Sequence, residues 1–277
     1  MTARSAADSA STLARDGDIA VVVLTHNRVH LLPKCVDNVL RRASAATREI
    51  VIWDNGSTDG TAEYLASVDD PRIRVVRSPS NVGFNAYADA CEMTSAPFFV
   101  ELDDDVVDAP AHWDLLLRDS FVRLPHVGYL AADLEDDPND EASYYRHHIR
   151  PHEYVAVEEN GVRLLRGPAG GGCAMTSREL IDRVGGFRKK KGKVFWLEDQ
   201  AYIEDIARIG FQARVLSDLV VKHTGGPHYT VAPPEKQTFW KRYNRRLERR
   251  ASIKRWIYRA PFVPRLNARF GWFQPPT

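Results

Sequence analysis

Apolar runs alternate with helix-like patterns between residues 19 and 102. The first run, 19–24, is β-branched and has no polar interruption, as expected for a strand that is buried on both faces of a parallel sheet. The pattern predicts four strands in this part of the chain: 19–24, 49–53, 73–76 and 97–102. Between them it predicts helices at about 31–40, 62–68 and 83–94. This alternation indicates right-handed crossover connections and an α/β fold, with an open, mostly parallel central sheet flanked by helices.

The pattern becomes less regular after residue 105. The dipeptide Asn160-Gly161 is typical of a two-residue hairpin turn, and we predict that it joins strands within 144–157 and 162–165. Ser177 is placed to cap a helix that begins directly after it. The remaining elements predicted in this half are helices at 112–121 and 198–209 and strands at 128–132, 213–216 and 219–221.

The composition is that of a globular protein with a sizeable core, since 44% of its 277 residues are hydrophobic and 27% are charged. A formal net charge of +1 gives no overall basic field, so we do not expect nucleic acid as a partner. Three widely spaced cysteines without a CxxC pair predict reduced thiols. Residues 1–17 have no apolar core of a secretory signal, and no continuous apolar stretch is long enough to span a bilayer. We therefore expect a cytoplasmic protein, or one attached only to a membrane face.

Positive charge is concentrated near the C-terminus, although the overall charge is close to zero. Residues 236–269 contain twelve lysines and arginines against Glu248 as the one acidic residue, with aromatic residues between them. A basic, aromatic-rich helix can lie on an anionic membrane surface, which predicts peripheral contact with the inner face of a membrane. A solvated helix that packs on the main domain and an oligomer contact are the alternatives.

Three consecutive carboxylates, Asp103, Asp104 and Asp105, follow the fourth predicted strand. Such charges repel one another unless a cation or solvent relieves the repulsion. Mg²⁺ and Mn²⁺ are cations that take oxygen ligands and share them with substrate phosphates. For an isolated triplet, a solvated acidic turn is the simpler interpretation. The end of a buried strand, where open α/β sheets bind ligands, favours a metal site instead.

Several polar clusters occur in a characteristic order across residues 18–225. They are THNR at 25–28, DNGSTDGT at 54–61, NVGFNAYADA at 81–90, LDDDV at 102–106, WLEDQAY at 196–202 and VVKH at 220–223. This order and spacing resemble family 2 glycosyltransferases of the GT-A fold. The resemblance implies a GT-A-like single domain with a C-terminal basic helical extension. It also implies a nucleotide-sugar donor and a divalent cation, Mn²⁺ or Mg²⁺.

The resemblance assigns donor-binding roles to residues at the predicted strand ends. For Asp54, a turn carboxylate that caps Gly56 or Ser57 is the alternative, and Asn81 and Gly83 are explained nearly as well by a plain turn. The implied donor-binding residues are Thr25, Asn27, Arg28, Asp54, Asn81, Gly83, Asp103 and Asp104.

The same resemblance implies a metal shell. Asp105 is its principal ligand, Asp103 contributes, and His223 completes it, although a lone strand-end histidine is as often structural. Asp104 is expected to point elsewhere, because alternate residues that leave a strand face opposite ways.

A later acidic pair is implied to act on the acceptor. Asp199 would be the general base, with Glu198 supporting acceptor binding, and the neighbouring Trp196 could raise the base's pKa by desolvation. Carboxylates that only stabilise a helix start are the alternative. Glu204 and Asp205 form a second pair with weaker positional support.

The implied activity is the transfer of a sugar, with inversion, from a UDP- or dTDP-linked donor to the hydroxyl of a glycan, lipid-linked or small-molecule acceptor, in cell-envelope or glycoconjugate synthesis. A nucleotidyltransferase that makes nucleotide sugars is one alternative, but it normally has a glycine-rich basic loop after its first strand, and 25–28 has no glycine. A catalytically silent nucleotide-sugar-binding protein is another, although it need not retain both acidic clusters.

We divide the chain accordingly into four parts. These are a flexible N-terminal segment at 1–17, a nucleotide-binding half at 18–105, an acceptor-binding half at 106–230 and a basic aromatic helical extension at 231–277.

Overall fold

The computed structural model describes residues 17–230 together with residues 234, 236–239, 241–243, 245, 246 and 249. Contacts divide the chain into two units, Met1–Val231 and Ala232–Thr277. The first contains the sheet and the helices that pack on it, and it carries the candidate site. In the second, the described residues are helical and largely exposed to solvent. Most of the predicted N-terminal segment and most of the basic extension lie outside the described residues.

The described part of the first unit contains a ten-stranded sheet. Its strands are β1 Ile19–Thr25, β2 Thr47–Asp54, β3 Ile73–Arg77, β4 Phe98–Asp103, β5 Val106–Asp108, β6 Val127–Leu134, β7 Val155–Glu159, β8 Val162–Arg166, β9 Cys173–Ser177 and β10 Gln212–His223. Their order is β3-β2-β1-β4-β9-β6-β10-β8-β7, with β5 pairing with β10 outside this path. Strands β3, β2, β1 and β4 are parallel, as is the pair of β6 and β10. The parallel ladders contain most of the paired residues, as predicted.

Helices flank this sheet and connect its strands. They are α1 Leu32–Arg42, α2 Thr61–Ser67, α3 Ala86–Glu92, α4 Trp113–Val122, α5 Glu141–Tyr144, α6 Arg178–Val184 and α7 Glu198–Arg208. Short 3-10 turns occur at Gly83–Asn85 and Pro151–Glu153, and a π-helical turn at Tyr145–Ile149. The side chain of Ser177 caps α6 by accepting a hydrogen bond from the Leu180 backbone N–H, as its position in the sequence predicts. Among the described residues, no helix has the length and apolar character needed to cross a bilayer.

Hydrophobic side chains cover both faces of the sheet. Strand β1 shows the principle, since Val21 and Val23 pack into one cluster with α1 and α4, and Val22 packs into the other with α3 and α7. A strand that is buried on both faces has no polar face, which explains its uninterrupted apolar run. Each Å² of apolar surface that is buried stabilises the folded state by roughly 25 cal/mol. The core therefore fixes the strand ends, which carry the site.

Two predicted elements differ from the structure. The segment from Tyr144 to Glu153 is helical, so the first strand of the predicted hairpin begins only at Val155. The physical reason is the Asp140 side chain, which caps α5 and starts a series of helical turns that Pro151 extends. The two strands predicted at 213–216 and 219–221 are one strand, β10, whose register shifts between Leu216 and Val220.

Candidate active site

The carboxyl ends of three parallel strands meet at one edge of the sheet. In the register of these strands, Thr25 on β1 lies beside Asp54 on β2, and Leu24 lies beside Asp103 on β4. Because parallel strands end on the same side, their terminal polar residues are brought together there. The predicted cluster at the end of β4 is thus next to the predicted nucleotide loop.

Asp103, Asp105 and His223 each point one ligand atom into a common space, and these atoms lie within 4.8 Å of one another. His223 Nε2 is 2.9 Å from Asp105 Oδ1 and 3.8 Å from Asp103 Oδ2. Antiparallel pairing of β5 with β10 brings His223 there, and the Thr224 backbone N–H donates to the Asp105 carbonyl at 2.9 Å. Two carboxylates and one imidazole are a suitable ligand set for a divalent cation such as Mn²⁺.

Arg28 connects this cluster to the first loop. Its Nη1 donates to Asp104 Oδ1 at 2.8 Å and to Asp105 Oδ2 at 2.6 Å. Burial raises the pKa of Asp105, but His223 and Arg28 outweigh burial, so this pKa lies below its usual range. Burial raises the pKa of Asp104, and there Arg28 offsets the increase only in part. Asp105 is therefore anionic at neutral pH. Asp104 does not contribute an atom to the group formed by Asp103, Asp105 and His223.

The histidine is held from its other side as well. Its Nδ1 lies 2.6 Å from Oδ2 of Asp140, a fully buried carboxylate. Burial lowers the pKa of His223, but the charges of Asp105 and Asp140 outweigh burial and raise it above the usual value. Sequence reasoning missed Asp140, because it lies in an irregular acidic loop 83 positions from its partner.

The predicted nucleotide loop is held together by its own side chains. Asp54 is fully buried, and its Oδ1 accepts from the Ser57 backbone N–H at 2.9 Å while Arg77 Nε lies 3.3 Å from its Oδ2. The capping alternative for Asp54 is therefore realised. Asn27 adopts a left-handed conformation, with φ of 52°, and its Oδ1 accepts from the Thr58 backbone N–H at 2.7 Å. These contacts order the loop, and a donor-binding role for both residues remains a prediction.

The segment around Asn81 and Gly83 lies against the chain that precedes α7. Asn81 Oδ1 accepts from the Gly83 backbone N–H at 2.8 Å, and the Phe84 N–H donates to the Val194 carbonyl at 3.2 Å. The Asn85 side chain adds hydrogen bonds to the backbone of Lys190 and Lys193, the shortest at 2.7 Å. The predicted donor segment therefore holds residues 190–194, the chain that leads into α7, in place by hydrogen bonds.

Gly83→Ala is expected to disturb this contact. A Cβ at Gly83, where φ is +59°, would lie 1.6 Å from the Val194 carbonyl oxygen, so the two segments must separate. Gly210→Ala is the matched control, because its φ of +92° carries the same type of strain, about 1–2 kcal/mol, without a neighbour within 4 Å. We expect thermal unfolding to show a larger loss of stability for Gly83→Ala, and calorimetry to show weaker nucleotide-sugar binding. Equal effects of the two variants would contradict the contact.

Asp199 and Glu198 lie at the start of α7 beside a third carboxylate, Glu101 on β4. Asp199 Oδ2 accepts from the Gly171 backbone N–H at 3.2 Å, and Glu101 Oε2 accepts from the Tyr129 hydroxyl at 2.8 Å. Burial raises the pKa of all three carboxyl groups. For Glu198, the neighbouring Asp199 and Glu101 charges raise it further. Glu101, Glu198 and Asp199 thus form a buried carboxylate cluster, and buried carboxyl groups with raised pKa values are frequent at functional sites.

Sequence reasoning missed Glu101, although a signal for it existed. It is an ionisable residue within an otherwise apolar strand and is 1% exposed. Charged side chains are almost never fully buried unless they are paired, so a glutamate in a buried strand indicates a special environment. The weaker predicted pair, Glu204 and Asp205, is not part of this cluster. Asp205 forms ion pairs with Arg188 and Arg208, and Glu204 is exposed.

A triple-glycine segment, Gly170-Gly171-Gly172, lies between the two carboxylate groups. A Cβ on Gly170 would lie 3.7 Å from Asp199 Oδ2, and one on Gly172 would lie 3.7 Å from Asp103 Oδ2. The Asp103 backbone N–H donates to the Gly172 carbonyl at 2.9 Å. The backbone of this segment therefore extends from Asp103, in the candidate cation site, to Asp199 at the start of α7.

Gly171→Ala is expected to damage the site more than a change at either neighbouring glycine. A Cβ at Gly171 would lie 2.7 Å from Glu101 Oε1, a contact that real structures essentially never show, so the buried carboxyl must move. A Cβ at Gly172 makes only ordinary contacts, the nearest at 3.7 Å, so Gly172→Ala is the matched control. Steady-state kinetics should show a lower kcat for Gly171→Ala, and comparable values for the two variants would refute this role of the glycine.

The fold is shared with a class of solved enzymes. This largely parallel α/β sheet has the GT-A architecture of solved glycosyltransferases. A mannosyltransferase from Pyrobaculum calidifontis in complex with GDP-Man and Mn²⁺ superposes with a TM-score of 0.55 at 22% identity, covering 78% of this chain and 60% of that one. TarS 1-349 from S. aureus in complex with UDP-GlcNAc has a TM-score of 0.55 at 16% identity, covering 78% and 61%.

The chain belongs to glycosyl transferase family 2, since the model of that family matches residues 20–185, more than half of the chain. Glucosyl-3-phosphoglycerate synthase from Mycobacterium tuberculosis, in complex with Mn²⁺, UDP and glucosyl-3-phosphoglycerate, has a TM-score of 0.51 at 21% identity over 76% of this chain and 73% of that one. The uncharacterized protein y4gI of Sinorhizobium fredii (strain NBRC 101917 / NGR234) is 24% identical over 62% of this chain. The chain spans about a fifth of that relative's length, 21%. The family match ends before Glu198, so it does not cover Asp199 and His223.

Proposed function

We propose that this protein is a metal-dependent glycosyltransferase that moves a sugar, with inversion, from a nucleoside-diphosphate sugar to an acceptor hydroxyl. One observation carries the proposal: the Asp103–Asp105–His223 group, a candidate cation site, and a buried carboxylate cluster lie on either side of one glycine segment. Direct displacement at an anomeric carbon needs charge stabilisation on the leaving side and a base on the acceptor side. The two clusters are suited to these two tasks.

The donor would lie at the carboxyl ends of β1, β2 and β4. In this proposal Asp54 and Asn27 shape the nucleoside pocket, and Thr25, Asn81 and Gly83 line it. Solved structures of the same fold carry GDP-Man, UDP-GlcNAc or UDP, which supports a nucleotide-sugar donor. A UDP- or dTDP-linked sugar remains our proposal for this chain.

Asp103, Asp105 and His223 would hold the divalent cation. The fit rests on the donor set, because Asp105 is buried and anionic and its partner His223 presents Nε2 to the same space. When bound, Mn²⁺ or Mg²⁺ neutralises the negative charge of a diphosphate leaving group. Arg28 would hold the Asp105 and Asp104 carboxylates in place and add positive charge beside them.

Asp199 would take the proton of the acceptor hydroxyl. Its partly buried carboxylate is oriented by the Gly171 and Gln200 backbone N–H groups, which donate to different oxygens. Glu198 would support the acceptor beside it. The acceptor is a glycan, a lipid-linked sugar or a small molecule, and peripheral membrane contact through the basic C-terminal residues would suit a lipid-linked one.

The proposed base predicts a pH dependence. A carboxylate base works only when it is deprotonated, and burial raises the pKa of Asp199 above its usual value. Activity should therefore be present above that raised pKa and be lost as the pH falls through it. We expect the acid limb of kcat/KM to lie above the unperturbed aspartate value of about 3.9. A profile that stays flat down to that value would rule out Asp199 as the base.

A turnover assay tests the function itself. The protein is incubated with a panel of nucleotide sugars and Mn²⁺, with and without a chelator, and release of nucleoside diphosphate is measured. Chelator-sensitive release is the expected result. Pyrophosphate made from a sugar phosphate and a nucleoside triphosphate would identify a nucleotidyltransferase instead. Binding without turnover across a broad acceptor panel, unchanged in Asp199→Asn, would identify a silent binding protein.

A further inference from the structure

Asp140 is the most deeply buried carboxylate of the acidic loop after β6. It is 0% exposed, and both of its carboxylate oxygens accept hydrogen bonds. Oδ1 accepts from the Ser143 backbone N–H at 2.6 Å and so caps α5. Oδ2 accepts from the Gly225 backbone N–H at 2.6 Å and lies 2.6 Å from His223 Nδ1.

The cap and the loop contact alone do not require a carboxylate. Ser, Thr and Asn cap helices about as well as Asp does, and a backbone N–H is satisfied by any oxygen acceptor. A buried charge, in contrast, costs free energy unless it is paired. Of the residues that the structure describes, His223 is the one that forms an ion pair with Asp140. The charge of Asp140 is therefore explained by its contact with His223.

This contact decides which nitrogen of His223 faces the cation-binding cluster. An ionised carboxylate only accepts hydrogen bonds, so the nitrogen beside Asp140, Nδ1, must carry a proton. Nε2 is then the nitrogen with a free lone pair whenever the ring is neutral, and Nε2 is the atom that lies 2.9 Å from Asp105 Oδ1. The backbone N–H of Thr224 donates to the Asp105 carbonyl and that of Gly225 donates to Asp140, so the chain on the C-terminal side of the histidine is fixed as well.

We propose that Asp140 is a positioning residue: it fixes the tautomer and the ring orientation of His223 so that Nε2 faces the cation site formed with Asp103 and Asp105. This role rests on the metal-dependent function proposed above. Carboxylates in such second positions typically change metal affinity by about 10- to 100-fold when they are replaced.

The test compares the Mn²⁺ affinity of variants in the presence of UDP, measured by the loss of the free Mn²⁺ signal in electron paramagnetic resonance. Asp140→Ser keeps a capping oxygen but is too short to reach His223, and we expect it to bind Mn²⁺ about 10- to 100-fold more weakly. Asp140→Asn keeps the volume, but its single amide oxygen can serve either the cap or His223, and we expect a smaller loss than for Asp140→Ser because the side chain still reaches the histidine. Asp137→Asn is the control on the same loop, since Asp137 contacts Tyr229 and Asn139 and not the histidine.

Two readouts separate positioning from a merely structural role. His223→Ala combined with Asp140→Ser should lose no more affinity than His223→Ala alone, because Asp140 acts through the histidine. In long-range ¹H–¹⁵N spectra of the Mg²⁺-loaded protein, the His223 proton should reside on Nδ1, and Asp140→Asn should give a mixture of tautomers.

Wild-type affinity and tautomer in folded Asp140→Asn would overturn the proposal, as would additive losses in the double variant. If Asp140→Ser does not fold, Asp140→Asn decides. A wild-type protein that binds no Mn²⁺ with or without UDP would refute the metal site itself, and this outcome is distinct from a failure of Asp140 alone.

Discussion

Asp199→Asn is expected to lower the rate of sugar transfer by about 10²- to 10⁴-fold, the range that a positioned general base contributes. The amide keeps the shape of the side chain and can still accept from the Gly171 backbone N–H, but it cannot take a proton. Nucleotide-sugar affinity should therefore change little, because in the proposed arrangement Asp199 faces the acceptor and not the nucleotide. Steady-state kinetics and calorimetry on the same variant measure the two effects separately.

Asp205→Asn is the matched control for this prediction. Asp205 lies on the same helix, α7, and its carboxylate pairs with Arg188 and Arg208 instead of facing Gly171. We expect near wild-type turnover from it. A variant at Asp199 that retains full kcat, or one whose defect is entirely in donor binding, would show that the base lies elsewhere.

Asp105→Ala is expected to abolish the dependence of donor binding on Mn²⁺. Asp105 is the buried carboxylate of the cation-binding cluster, and it is held anionic by His223 and Arg28 in spite of its burial. Its removal would take away one of the three proposed metal ligands and one of the two carboxylate partners of Arg28. Arg28 keeps Asp104 as a partner, but the loss of one carboxylate from this ion-pair cluster is expected to destabilise the fold, so thermal unfolding must accompany the binding measurement.

Asp108→Ala provides the comparison for this second variant. Asp108 lies on β5, the short strand that begins directly after Asp105, but its side chain is 63% exposed and its Oδ1 lies 3.9 Å from Arg42 Nη2. Its loss should affect neither stability nor Mn²⁺-dependent UDP binding, which calorimetry at several Mn²⁺ concentrations measures. Unaltered Mn²⁺-dependent affinity in folded Asp105→Ala would disprove the ligand assignment.

The first four strands were predictable because their signal is local. Each is a short, mostly apolar run that ends at a polar cluster, and the parallel orientation of β1 to β4 follows from the alternation with helices. The position of β9 was not predictable in this way. It enters antiparallel between β4 and β6, and such pairing depends on contacts between residues far apart in sequence.

The same distinction separates the predicted residues of the site from the missed ones. Asp103 and Asp105 follow an apolar strand, so their place at the ligand-binding edge was expected from the pattern, whereas His223 was added to them only by the resemblance to the family. Asp140 lies in an irregular loop, and nothing local relates it to a histidine 83 positions away. The ion pairs that Arg28 forms with Asp104 and Asp105 likewise connect residues from separate loops, whereas the sequence assigned Arg28 only to the nucleotide.

Roles are harder to predict than positions. Asp54 shows why, since its strand-end position suits a nucleotide-binding residue while its two oxygens already contact Ser57 and Arg77. A sequence pattern gives the edge of the sheet where a side chain lies, but not the partners that compete for it. Only a bound donor will separate these two uses of the same carboxylate.

A crystal structure with UDP and Mn²⁺ bound tests the central claim most directly, namely that the two carboxylate groups beside the glycine segment form one active site. Anomalous diffraction then locates the manganese independently of any assumption about its ligands. We predict one strong peak among Asp103, Asp105 and His223, with the diphosphate on it and the Asp199 carboxylate facing the open side of the donor. A manganese peak away from these three side chains, or UDP bound without manganese, would contradict the account.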